Sequence, residues 1–321
     1  MLLLRLACAL AALASAPPSG DTFWHETLAP HFQVRHQPAF LPPGFVLQLE
    51  KIHNHLRMDL SMFSPWMAKE RLKLYFYADR DSYLKGELKP PGWSNGIAFH
   101  KEKIVAVYDQ ANRPKLFQII AHETTHLLFE GYWWESGKAP PQWLNEGLAM
   151  MEEADDPRLP EKSEWFQTMA LLNPEHTIPF KQFAEIRPTT DLKDNSNKDA
   201  VSLWYVQAFS IVHFLYREHS RLQFQNFCNQ LRDGKDLEKV IWQVYRYSGS
   251  EELDRAWRAW LKKPSTVARM RRFLSAANYK GREDTDAAPP QRGSRVGPGG
   301  TLRQLKPTGF GDFSYDNLQS K

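Results

Sequence analysis

Cysteine is nearly absent from this chain: only Cys8 and Cys228 occur among 321 residues. A disulfide framework is thereby excluded, so stability has to come from a hydrophobic core. Charge of one sign is lacking too. The 41 basic and 37 acidic residues leave a formal net charge of +4, too small an excess to signal a dedicated nucleic-acid binder. No internal repeat is visible, and no apolar run reaches the roughly 20 residues that a membrane-spanning helix needs. What is present is 42% hydrophobic, 24% charged and 13% aromatic, which excludes a wholly disordered, collagen-like or multispan membrane chain.

The two ends differ from the middle. Residues 1–16 read MLLLRLACALAALASA, with one positive charge at Arg5, an apolar stretch and small residues before Pro17 and Pro18. That pattern matches a secretory signal peptide and predicts an exported protein, periplasmic or secreted, with no stable membrane span. Cys228 would then be the one thiol of the mature chain. From Gly281 to Lys321 the apolar periodicity is lost and Gly and Pro gather, which predicts a flexible tail. A single domain is expected over residues 17–280.

Within it, FQVRH at 32–36 alternates like a strand, and Phe45 to Phe63 carries apolar residues at helical spacing until Ser64 and Pro65 end it. LKLYFY at 72–77 reads as a second strand, leading into a short polar helix at 81–87. Gly96–His100 and Ile104–Tyr108 flank Lys101-Glu102-Lys103 as a hairpin would. Beyond Pro114 every strong pattern is helical: 116–132, 141–153, 201–219, 222–231, 237–245 and 251–261. The fold class expected is α+β, with a small mixed sheet and helices over residues 30–110 and a mostly helical region over 114–280.

The chemistry sits at that change of pattern. Residues 122–126 read HETTH inside the apolar helix FQIIAHETTHLLF. Residues four apart share a helix face, so His122 and His126 can point at one ion, with Glu123 projecting beside them. The bland alternative is a pair of core histidines, each needing hydrogen-bond partners. Glu146 follows His126 by 20 positions, in PPQWLNEGLAMM, where Pro140 and Pro141 mark a second helix start. If the first helix continues about six residues past His126 and the second begins about five before Glu146, both segments are roughly 8 Å long. An antiparallel hairpin then returns Glu146 to the level of the histidines. Two imidazoles, one carboxylate and an open fourth position are the ligand set of a catalytic site for one Zn2+ ion.

HETTH followed by WLNEGLA resembles the gluzincin, thermolysin-like metallopeptidases, whose third zinc ligand is a Glu on the next helix. PQWLNEGLA is similar in particular to the peptidase MA-like group of exported bacterial proteins. The resemblance spans about residues 30–265, with motif-level identity confined to the two zinc helices. It implies a zinc metallopeptidase acting on protein or peptide substrates, with Glu123 as general base to a metal-activated water. LWYVQAFSIVHFL at 203–215 is similar to the family helix that places a Tyr near the zinc, which makes Tyr205 the candidate donor to the tetrahedral oxyanion. GIAFH at 96–100 lacks the Glu with which the aminopeptidase branch holds a free amine, which points to an endopeptidase. The residue four after Glu146, where thermolysin-like enzymes carry an acidic partner for a zinc histidine, is Met150. Another group, such as a backbone carbonyl, must therefore orient His122. The reading from a different class is a noncatalytic zinc-binding scaffold that keeps the peptidase fold.

Other candidates carry less. His100 lies on the strand expected along the cleft, and His176 precedes Thr177-Ile178-Pro179 and could face it. His53 and His55 are two apart on a helix, so they diverge and are expected to be solvated. His213 and His219 flank a helix end and need no function. Cys228 reads as a buried apolar residue. The basic stretch RAWRAWLKKPSTVARMRRF could meet nucleic acid, or anionic lipid as a membrane-surface module, but at helical spacing its tryptophans face the core and its arginines face water.

Overall fold

The computed structural model describes residues 23–272 apart from 93, 155, 157–158 and 192–197. The leader and the tail lie outside the described residues. Strands β1 (His25–Leu28) and β2 (Phe32–His36) open the chain, followed by α1 (Phe45–Leu60), β3 (Leu72–Tyr77), α2 (Arg80–Lys85), β4 (Gly96–Phe99) and β5 (Ile104–Tyr108). Helices then follow: α3 (Arg113–Trp134), α4 (Gln142–Glu152), the short α5 (Glu164–Thr168), α6 (Phe180–Phe183) and α7 (Pro188–Asp191), and then α8 (Lys198–Arg217), α9 (Arg221–Arg232), α10 (Leu237–Tyr245), α11 (Ser250–Lys262) and α12 (Pro264–Arg271). This is the expected α+β arrangement. The spacing missed β1, which has two exposed positions in four, the short α5, α6 and α7, and α12, which begins at Pro264 with little apolar periodicity.

The five strands form one mixed sheet in the order β1-β2-β3-β5-β4. β2, β3 and β5 run parallel, because α1 and the α2 segment supply the crossovers, while β1 and β4 pair antiparallel at the two edges. Alternation along β3 divides the faces: Leu72, Leu74 and Phe76 enter the main core beneath the helices, and Tyr75 and Tyr77 join Tyr83 of α2 in a small second cluster.

α3 is the central element. Asn112 caps it by accepting from the Lys115 backbone N–H at 3.1 Å, and Pro114 occupies the first turn, where its missing N–H costs nothing. The helix packs on α1, on β4 and β5, and on α4. Between the two histidines Thr124 and Thr125 are fully buried, and they satisfy their hydroxyls by donating to Ile120 O at 2.6 Å and Ala121 O at 2.8 Å.

His53 and His55 are buried, contrary to the expectation of solvated side chains. α1 is covered on more than one side: His53 stacks on His31 at 3.8 Å and bonds Met67 O at 2.9 Å, while His55 faces α4. The basic stretch places Trp257 and Trp260 in the core as its spacing predicts, but Arg258 is largely covered rather than facing water, donating to Asp254 Oδ2 at 2.7 Å and to Thr177 O at 3.3 Å. Arg269 binds Glu161 at 2.8 Å and Glu218 at 2.9 Å. Among the described residues no helix is long and apolar enough to cross a membrane.

Close approach of α4 to α8 depends on Gly147. A Cβ there would fall 2.5 Å from Ala208 O and 2.6 Å from Val212 Cγ2, contacts that no real side chain makes. Gly147→Ala should therefore lower the unfolding free energy by about 1–3 kcal/mol through overpacking, read as a lower midpoint in chemical denaturation. An unchanged midpoint would mean that α8 can yield at this crossing.

Candidate metal centre

The hairpin closes as the spacing requires. Gly137, at φ +69°, adopts the left-handed conformation in the turn after α3, and Pro141 precedes α4. α4 runs back antiparallel to α3: Asn145 meets Glu130, Glu146 meets His126, and Glu153, just past the end of α4, meets His122. The His122 and His126 Nε2 atoms stand 3.0 Å apart, and Glu146 Oε2 lies 3.8 Å from each. Two donors about 2.1 Å from one tetrahedral ion stand about 3.4 Å apart, so these separations suit a single zinc-sized cation with three protein ligands. The three side chains retain 12–18% of their surface, enough to leave one side open.

Orientation of the first imidazole supports the same reading. His122 Nδ1 lies 2.7 Å from Glu153 Oε1, and Trp165 Nε1 donates to Glu153 Oε2 at 3.0 Å. With Nδ1–H given to a carboxylate, the Nε2 lone pair is the one aimed at Glu146 and His126, the tautomer that a metal ligand needs. Burial works against a charge on His122, but the Glu153 hydrogen bond and the nearby carboxylates outweigh it and push its pKa up to about 9, so a cation binding there displaces a proton from Nε2. The group that orients this ring is thus not a backbone carbonyl but a carboxylate seven positions after Glu146, two helical turns on instead of one. The period was available in the sequence, but a contact from just past a helix end was not readable from it.

Glu123 is held beside the pair by the sheet. A Cβ on Gly96 of β4 would come 2.8 Å from Glu123 Cγ and 3.3 Å from its Oε1, so the edge strand passes directly over this carboxylate. Burial raises the Glu123 carboxyl above its ordinary value, opposed by the two imidazoles. A carboxylate so raised is a better proton acceptor than a free one.

The remaining candidates divide. Tyr205 is half-buried on α8, edge-on to Trp204 at 5.1 Å, one turn before the Ala208 that abuts Gly147; it therefore lies on the side of α8 that meets α4. His100 reaches α3, with Nδ1 3.4 Å from Glu130 Oε2, whose other oxygen accepts from Asn145 Nδ2 at 2.8 Å. His176 is exposed in a short turn beside Asn173, away from these contacts. His213 is buried, and burial followed by Arg217 and Arg269 pulls it down to about 3, so it stays neutral in the core. His219 bonds Phe214 O at 3.0 Å and Tyr247 at 3.1 Å. Burial raises the Cys228 thiol well above its ordinary value, as suits an unreactive core residue.

Glu153→Ala should weaken zinc binding about 10–100-fold in a chelator competition, because the His122 ring loses the partner that fixes its tautomer. Unaltered affinity would show that Glu153 does not orient the ligand.

The family model of the peptidase MA superfamily matches residues 60–263, from the end of α1 to the residue after α11, and so includes the whole site. No curated protein matches the chain.

Proposed function

Because the chain belongs to the peptidase MA superfamily, we propose that it is a zinc-dependent peptidase in which His122, His126 and Glu146 hold one Zn2+ ion and Glu123 is the general base. The observation that carries this reading is the convergence of two Nε2 atoms and one carboxylate oxygen beside Glu123, which β4 overlies at Gly96. An ion bound there would lower the pKa of its water toward about 7 and polarise the scissile carbonyl. Glu123 takes the proton of the attacking water and delivers it to the leaving amine. Glu153 keeps the proton on His122 Nδ1, so that Nε2 remains a ligand. The Tyr205 hydroxyl donates to the oxyanion of the tetrahedral intermediate. β4 lies at the sheet edge beside Glu123, where one side of its backbone is free to pair with an extended substrate.

Nothing on Gly96–Phe99 offers a carboxylate for a substrate's free amine, which favours endopeptidase action. The leader-like residues 1–16 would carry the enzyme out of the cytoplasm, to the periplasm or beyond, with residues 17–280 as the catalytic domain. The other reading, a scaffold that binds zinc without turnover, accounts for the ligands but gives Glu123 no task.

Cleavage of an unstructured protein by wild type and Glu123→Gln, with zinc content measured in both, separates the two. One zinc per chain in both, and a rate lower by a factor on the order of 10²–10⁴ in the variant, is the expected result. Equal cleavage by the two would remove the proposal. Tyr205→Phe should lower kcat by about 10²-fold with little change in KM; an unchanged kcat would return Tyr205 to core packing.

A further inference from the structure

α4 closes on two successive carboxylates, Glu152 and its cap Glu153, at the helix pole where partial negative charge gathers. Neither is stable there without a counter-group. Glu153 has His122 and Trp165. Glu152 points elsewhere, is fully buried, and meets His55 of α1.

His55 of α1 places Nε2 2.8 Å from Glu152 Oε2 and 4.0 Å from Asp59 Oδ2. Asp59 is gripped by Arg217 of α8, Nη1 donating to Oδ1 at 3.3 Å and Nη2 donating to Oδ2. The Tyr216 hydroxyl adds a bond to Asp59 Oδ1 at 2.9 Å. Burial raises the Glu152 carboxyl above its ordinary value and His55 opposes it; ionised, the pair completes with Asp59 and Arg217 a set of two negative and two positive charges. Neither Glu152 oxygen receives a well-aligned hydrogen bond, so opposite charge is what compensates its burial. Burial opposes the proton on His55, but Glu152 foremost and then Asp59 hold its pKa above the ordinary imidazole value, against the opposing charge of Arg217. The His55, Asp59 and Glu152 ligand atoms lie within 4.8 Å of one another, close enough to share a cation. Arg217 already supplies the positive charge that a cation would bring.

We infer that His55 is a positioning residue for the metal centre: with Asp59 and Arg217 it pins Glu152, and thereby fixes the turn from which Glu153 reaches His122. The inference rests on the zinc reading above and names the buried strut behind it. His55 touches none of the reacting atoms. Its effect passes through one peptide link, from Glu152 to Glu153, and then through a single 2.7 Å contact.

The test compares full-length wild type with His55→Gln, Glu152→Gln and the double exchange. Zinc per chain, zinc affinity by chelator competition and hydrogen exchange of the amides at 150–153 are measured in each. Each single variant leaves one buried charge uncompensated. Each should bind zinc about tenfold more weakly and exchange faster in that turn, while the double variant, neutral on both sides, recovers most of both losses. Singles that fold and bind zinc as wild type does, whatever their melting temperature, would overturn the inference. So would a second zinc equivalent in wild type that the singles lose, since the cluster would then be a cation site. If the singles fail to fold, His55→Lys, which keeps a cation facing Glu152, takes their place: near-native affinity and exchange support the strut, and a tenfold loss overturns it. Wild type that binds no zinc would remove the reading of the preceding subsection, and exchange at 150–153 would decide the strut by itself.

Discussion

Antiparallel packing of α4 on α3 is the constraint from which the rest of the molecule follows. Two imidazoles on one helix define a direction and no more, and a third donor must come back from about 20 residues further along the chain. The reversal at Gly137 and Pro141 brings Glu146 within 3.8 Å of both rings, and the same alignment carries Glu153 to His122. A one-residue slip in this pairing would turn Glu146 about 100° away on its helix, so the register between the two helices is under chemical as well as packing control. Gly147 sets how deeply α4 sits, because α8 presses against it where any Cβ would collide with the backbone of Ala208.

The sheet and the remaining helices have complementary parts in that arrangement. β4 crosses Glu123 at a position where only glycine leaves room, which holds the carboxylate against the histidine pair and encloses it enough to raise its pKa. α1 and α8 meet the far end of α4 through a balanced set of charges rather than through apolar contact alone. Such sets are seldom the most stable way to fill a core, but they are selective about geometry, since a displaced partner leaves a buried charge uncompensated. The acidic end of α4 therefore engages the helix of His122 and His126 on one side and the scaffold on the other.

Much of this was legible before any coordinates. HETTH in an apolar helix and WLNEGLA after a proline pair named three candidate ligands and a base, and the alternation at 72–77 and 104–108 placed the strands that carry the edge. The solvated reading of His53 and His55 failed because helical spacing states which residues share a face but not how many neighbours cover it. α1 is covered by α3 and by the turn at 65–68, and its His55 meets Glu152 of α4, on faces that its own pattern does not mark. Glu153 was overlooked for a related reason: it lies at the frayed end of a helix, where periodicity no longer dictates direction.

The sequence by itself determined the kind of chemistry, because residue types at i and i+4 on a helix, followed by a Glu at hairpin distance, restrict the donors that can meet. Only the tertiary structure decided which carboxylate orients His122, that Gly96 rather than a side chain overlies Glu123, and that His55 and Arg217 balance Asp59 and Glu152. These relations join residues 27 to 158 positions apart, and no local preference encodes them; they exist because burying one apolar core forces distant helices into contact, after which each enclosed charge must find its partner.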